Sequence, residues 1–80
     1  MLPEVAADLA EHATDDAFSS REIEVLRMIA GGNANKEIAA LLPITEETVK
    51  GHIKNIFMKL GANDRTHAVT IGLKRGIIDL

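Results

Sequence analysis

The chain has 80 residues, of which 46% are apolar and 26% charged, with a formal net charge of -3 and no cysteine. This is the balance of one small folded domain, and it excludes a disordered tail, a disulfide scaffold and a thiolate metal site. At this length folding hides little more than half of the chain's surface, so a deeply walled catalytic pocket is not expected.

Phe18 and Phe57 are the only aromatic residues, which argues against a β-sandwich and against single-stranded nucleic-acid binding by base stacking. No apolar run approaches the roughly 18 residues of a membrane span and no signal-peptide pattern opens the chain, so a cytoplasmic location away from membranes is expected.

Charge is divided unevenly. Residues 1–17 carry Glu4, Asp8, Glu11, Asp15 and Asp16 without a single Lys or Arg. From Thr48 to Arg75 the order is reversed: Lys50, Lys54, Lys59, Arg65, Lys74 and Arg75 face Asp64 alone. A basic segment inside an acidic chain is the pattern of a local anion-binding surface.

In chain order, Pro3 with Val5, Ala6 and Leu9 at helical spacing suggests a short helix from Pro3 to Ala13. Residues 1–17 are read as an acidic interdomain linker or short helix, and residues 18–80 as the domain. Ser19-Ser20-Arg21-Glu22 has the form of a capping box, in which a hydroxyl and a carboxylate satisfy each other's free backbone N–H groups. The helix that starts there presents Val25, Leu26 and Ile29 on one face and stops at Gly31-Gly32. Asn35 is the expected cap of a second helix from Lys36 to about Leu42, with Ile38, Leu41 and Leu42 turned inward.

Pro43 ends that helix, since proline disfavours helical backbone in the residue before it. Only Pro43 and Ile44 separate the stop from Thr45, the next good cap. Two helices so close must turn sharply against each other, which is the grammar of a helix-turn-helix. The third helix is expected from Glu46 to about Leu60, closed by Gly61. A fourth follows Asn63 or Asp64 and runs to about Arg75, ending at Gly76, after which Ile77, Ile78 and Leu80 fold back on the core.

On the third helix Val49, Ile53, Ile56, Phe57 and Leu60 gather into one apolar stripe, while Glu47, Gly51, Lys54, Asn55 and Met58 fall opposite, with Lys50 on the flank. The major groove of B-form DNA admits a helix of this diameter, and lysine donates there to guanine O6 and N7. Lys50 and Lys54 are therefore candidate base readers. Thr45, Thr48, His52, Asn55 and Lys59 are candidate phosphate contacts that fix register without reading sequence. The free N–H groups near Asn35 and Lys36 are a further candidate phosphate site.

Four blocks carry a resemblance: Ser-x-Arg-Glu-x-Glu-Val-Leu (Ser19 to Leu26), Asn-Lys-Glu-Ile-Ala (Asn35 to Ala39), Ile-Thr-Glu-x-Thr-Val-Lys-x-His-Ile (Ile44 to Ile53) and Lys-Leu-Gly-Ala-x-Asp-Arg-Thr-x-Ala-Val (Lys59 to Val69). In this order and spacing they resemble the LuxR-type helix-turn-helix domain, over about Phe18 to Ile78. The resemblance implies an all-α, four-helix DNA-binding domain of bacterial transcription regulators. It implies a third helix in the major groove and a homodimer, joined through the fourth helix, on inverted-repeat sites.

The acidic opening is similar to the segment that joins a receiver domain to this domain in response regulators of the NarL/FixJ subfamily. A receiver domain on the N-terminal side and a sensor kinase are then implied as partners; a free-standing small regulator is the other reading of the same opening. By the same resemblance Lys50, Gly51 and Lys54 stand at base-facing positions and Arg65 at a phosphate-contacting one. Thr66, Thr70 and Leu73 form the implied dimer contact. Gly51 lacks a side chain for readout, Met58 stands where a basic residue is frequent, and Ser20 and Pro43 depart from the usual residues of the pattern.

Other functions are expected less. His12, His52 and His67 are isolated, and Glu46-Glu47 open a helix where carboxylates suit the dipole, so neither an enzyme, nor a metal site, nor a cofactor is expected. The serious rival is a helical protein-protein docking module without DNA binding. Charge separates the two, because a pure docking domain has no use for Lys50, Lys54 and Lys59 along one helix. The activities can also coexist, since a bound activator of this kind is expected to touch RNA polymerase.

Overall fold

The computed structural model describes residues 18–79, and every regular element among them is an α-helix. The helices are α1 (Ser20–Ala30), α2 (Asn35–Leu41), α3 (Glu46–Leu60) and α4 (Arg65–Lys74). The helix expected over Pro3 to Ala13 and the fold-back of Leu80 lie outside the described residues.

Local chemistry sets most of the boundaries. Ser19 Oγ accepts from the Glu22 N–H at 3.1 Å and Glu22 Oε1 accepts from the Ser19 N–H at 2.9 Å, which completes the capping box of α1. At its other end the Asn33 N–H reaches the Met28 carbonyl and the Gly32 N–H reaches the Ile29 carbonyl. That pair of bonds requires a left-handed residue between helix and turn, and Gly32 supplies it at φ 90°. Thr45 Oγ1 accepts from the Thr48 N–H at 3.1 Å to start α3, and Asp64 Oδ1 accepts from the His67 N–H at 2.8 Å to start α4.

The start of α2 corrects the expectation. Its N-cap is Ala34 and its first residue Asn35, whose side-chain oxygen is turned to Arg65 and caps nothing. Glu37 Oε1 accepts from the Ala34 N–H at 2.7 Å, the carboxylate half of a capping box, while alanine offers no side-chain acceptor for the other half. The inward face of α2 is corrected too. Ile38, Ala39 and Leu42 are buried, whereas Leu41 is 60% exposed. Leu41 and Ala39 lie roughly 160° apart around the helix axis, so a helix that buries Ala39 must expose Leu41.

The core joins all four helices through Val25, Leu26, Ile38, Val49, Ile56 and Ala68, each without measurable exposure. Leu60 is also buried, while Ile53 and Phe57 of the expected α3 stripe are half-buried and pack against its margin. On α4, Ala68 and Gly72 turn inward. A methyl group at Gly72 would lie 3.1 Å from Leu26 Cδ2 and 3.2 Å from Ile78 Cγ1, so this glycine lets α4 press its backbone onto α1 and the buried Ile78. Burying a larger side chain there forces apart atoms that already touch. Gly72→Val should lower unfolding free energy by about 2 kcal/mol, measured by urea unfolding; unchanged stability would mean that this contact is not a tight one.

Candidate nucleic-acid interface

The buried stripe of α3 fixes which of its residues face outward. Glu46, Glu47, Thr48, Lys50, Gly51, Lys54, Asn55 and Met58 are exposed, and His52 is half-buried. Fifteen residues make a rod about 22 Å long and 10–12 Å across. That width matches the roughly 12 Å major groove.

Lys50 Nζ lies 3.6 Å from Glu47 Oε1, with both side chains largely in water. An exposed pair three residues apart on a helix is worth about 0.5 kcal/mol or less, so phosphate can displace the carboxylate readily. Lys54 sits one turn further along and has no ion-pair partner among the described residues. Gly51 lies between them, and a methyl group added there would meet nothing within 4 Å. Packing within the domain therefore does not require glycine at this position. Met58 is 71% exposed, an apolar end to a polar face. At the start of the helix Thr45 and Thr48 are both exposed with their hydroxyl oxygens 2.9 Å apart.

Three of the expected phosphate contacts, Lys59, Arg65 and Asn35, are engaged inside the domain. Lys59 Nζ donates to Glu22 Oε1 at 2.7 Å and lies 5.5 Å from the centre of the Phe18 ring. It closes the end of α3 against the start of α1. Arg65 donates to Asn35 Oδ1 at 2.6 Å and to the Asn33 carbonyl at 2.7 Å, which also occupies Asn35. Lys36 remains exposed at the start of α2. These two ties are what sequence reasoning missed. Glu22 and Lys59 are 37 positions apart and Arg65 and Asn35 are 30 apart, so no local spacing announces either pair.

The implied dimer residues lie on a different side of the molecule's α4, where Thr66 and Thr70 are exposed and Leu73 is half-buried. A shallow depression of about 440 Å³ runs beside them, lined by Ile29, Ala30, Arg65, Thr66, Val69 and Thr70.

With this geometry in place the comparisons decide the family. Residues 16–71 match the family model described as bacterial regulatory proteins, luxR family. The chain belongs to the LuxR family. It is the DNA-binding helix-turn-helix domain of a transcription regulator, with the four-helix, all-α fold of that family. It is 42% identical over 73 residues to the transcriptional regulatory protein YxjL of Bacillus subtilis, covering 91% of this chain and 31% of that protein. It is 50% identical over 56 residues to a nitrate/nitrite response regulator homologue of Haemophilus influenzae, covering 70% of this chain and 27% of that one. The crystal structure of response regulator ChrA, from a heme-sensing two-component system, superposes with a TM-score of 0.77 at 40% identity. That match covers 98% of this chain and 40% of ChrA. The LuxR-family chain thus spans about a third of the length of the curated relatives it matches. No described helix is long and apolar enough to cross a membrane.

The Glu22–Lys59 tie has a pH signature. Burial alone would raise the Glu22 carboxyl, but hydrogen bonds from Lys59 and Ser19 and the lysine's charge outweigh it, leaving the group below its ordinary value of 4.5. A carboxylate depressed on folding stabilises the folded state above its unfolded value, and that contribution is lost as the pH falls through the folded one. Stability of the domain should therefore fall as the pH drops below about 4.5. Lys59→Ala should cost about 2 kcal/mol at pH 7 by leaving a buried charged acceptor underpartnered, and should flatten the acid limb of urea midpoints against pH. An unchanged limb would remove the tie from the account of stability.

Proposed function

We propose that this LuxR-family domain binds an inverted-repeat promoter site as a homodimer, with α3 of each protomer in the major groove. The observation that carries the reading is the outward face of α3. Lys50 and Lys54 stand there one turn apart on either side of an exposed glycine, on a helix whose opposite face is locked into the core. Lys50 and Lys54 read bases, and Gly51 lets the helix backbone approach the groove floor. Thr45, Thr48, Asn55, His52 and Lys36 serve phosphates. Lys59, Asn35 and Arg65, each engaged within the domain, serve the interface by holding its parts in place.

The dimer forms through Thr66, Thr70 and Leu73 of α4, beside the shallow depression against α1. The relatives include named response regulators about three times as long as this chain. In the intact protein, residues 1–17 then link this domain to a receiver domain phosphorylated by a sensor kinase in the cytoplasm. The bound dimer acts on RNA polymerase.

The test is selection of duplex DNA from a random pool, followed by anisotropy titration of the winner and of scrambled DNA at several salt concentrations. An inverted repeat should emerge, bound with a log–log salt slope of several units. Lys54→Ala and Lys50→Ala should each cut discrimination between winner and scrambled DNA by about 1 to 3 kcal/mol. Lys36→Ala should weaken both DNAs alike. No enrichment and no salt-dependent binding, even from an artificially dimerised chain, would leave the docking module as the better account.

A further inference from the structure

Arg65 is the first residue of α4, yet its half-buried side chain leaves that helix. One end of the guanidinium donates to Asn35 Oδ1 at the start of α2, the other to the backbone carbonyl of Asn33 in the turn before it. Asn33 is itself fixed to α1, its Nδ2 donating to the Met28 carbonyl at 3.0 Å. The end of α1, the start of α2 and the start of α4 therefore converge on one guanidinium. Its planar fork sets direction as well as distance, and a charged donor bonds about twice as strongly as a neutral one. Lys36, directly after Asn35, is exposed.

We propose that Arg65 is a positioning residue for DNA binding: it clamps residues 33–35 so that the adjoining Lys36 is presented to a phosphate, and does not itself contact DNA. The proposal rests on the DNA-binding reading above. A guanidinium that met a phosphate here would first have to give up two short bonds to protein oxygens and release the turn that carries Lys36. The clamp also explains why Asn35 does not cap α2, since its side-chain oxygen is the acceptor that Arg65 requires.

The experiment compares Arg65→Ala, Asn35→Ala, Lys36→Ala and the Asn35→Ala/Lys36→Ala double variant in the 80-residue chain, titrated with the selected duplex across a salt series. The log–log slope counts the phosphates neutralised, at about 0.9 per contact. Asn35→Ala removes no charge and keeps the Arg65 bond to Asn33, so it leaves most of the clamp's fold contribution intact. It should nevertheless lower the slope by about one unit per protomer and the affinity about five- to tenfold at moderate salt. Lys36→Ala and Arg65→Ala should do the same, and the double variant should lose no more than either single one.

A slope lowered by Arg65→Ala and untouched by Asn35→Ala would identify Arg65 as a direct phosphate ligand and overturn the proposal. Slopes unchanged in both, with melting temperature alone reduced, would reduce the clamp to a fold contact and overturn it equally. If the unsubstituted chain binds no duplex at any salt, the DNA-binding reading fails and takes this inference with it; an unaltered slope in Asn35→Ala sinks the inference alone.

Discussion

Everything that α3 presents outward depends on how one buried carboxylate is satisfied. Glu22 closes the first turn of α1 by accepting from the Ser19 N–H, and the same Oε1 receives Lys59 from the far end of α3. A carboxylate only 6% exposed cannot stay charged without such partners. Its requirement for a cation therefore draws the end of α3 down onto α1. With Val49, Ile56 and Leu60 already buried along that helix, the tie removes the remaining freedom of α3 to roll about its own axis. Lys50, Gly51 and Lys54 face outward as the geometric remainder of that fixation.

The acidic side chains of the domain are placed largely at helix starts. Of the acidic side chains beyond residue 17, Glu22 and Glu37 are consumed in capping and Asp64 caps α4. Glu46 and Glu47 sit in the first turn of α3, where the free N–H groups favour them. Five of the seven carboxylates beyond residue 17 thus sit at helix starts, while Glu24 lies 3.9 Å from Arg21 within α1 and Asp79 follows the last helix. The lysines of α3 beyond its first turn meet opposing charge from Glu47, at 3.6 Å in water, and from Glu22.

What was legible in the sequence follows from range. The capping box at Ser19, the cap at Thr45 and the glycine stops at Gly31-Gly32 and Gly61 involve groups within five residues of one another, so spacing alone announces them, while at the start of α4 it left Asn63 and Asp64 as alternatives and the structure has Asp64. The apolar stripe of α3 is periodic and was legible for the same reason, and with the motif blocks it made the four-helix fold readable before any coordinates. The errors lie where a side chain had a choice of partners. Asn35 has the chemistry of a cap, but a guanidinium 30 positions away offered a stronger bond. The Glu22 partner of Lys59 was equally illegible, since only the three-dimensional approach of α1 brings the two together. In a helix as short as α2, four apolar residues among seven left the inward face ambiguous, and packing chose Ala39 over Leu41.

On the proposed reading, with Lys59 and Arg65 engaged within the domain, the cations offered to DNA are Lys36, Lys50 and Lys54. So few cations release few counterions, so a single domain of this kind gains little non-specific affinity, and its binding falls only shallowly with salt. Gly51 and Met58 deepen that economy by adding no charge to the face. A second copy changes the arithmetic, because once one domain is bound its partner engages at high effective concentration. Two sparse faces then bind together where one is inadequate. On the proposed reading, sparseness is what lets an event elsewhere in a longer regulator control occupancy, since a domain that gripped DNA strongly alone would leave nothing for dimerisation to decide.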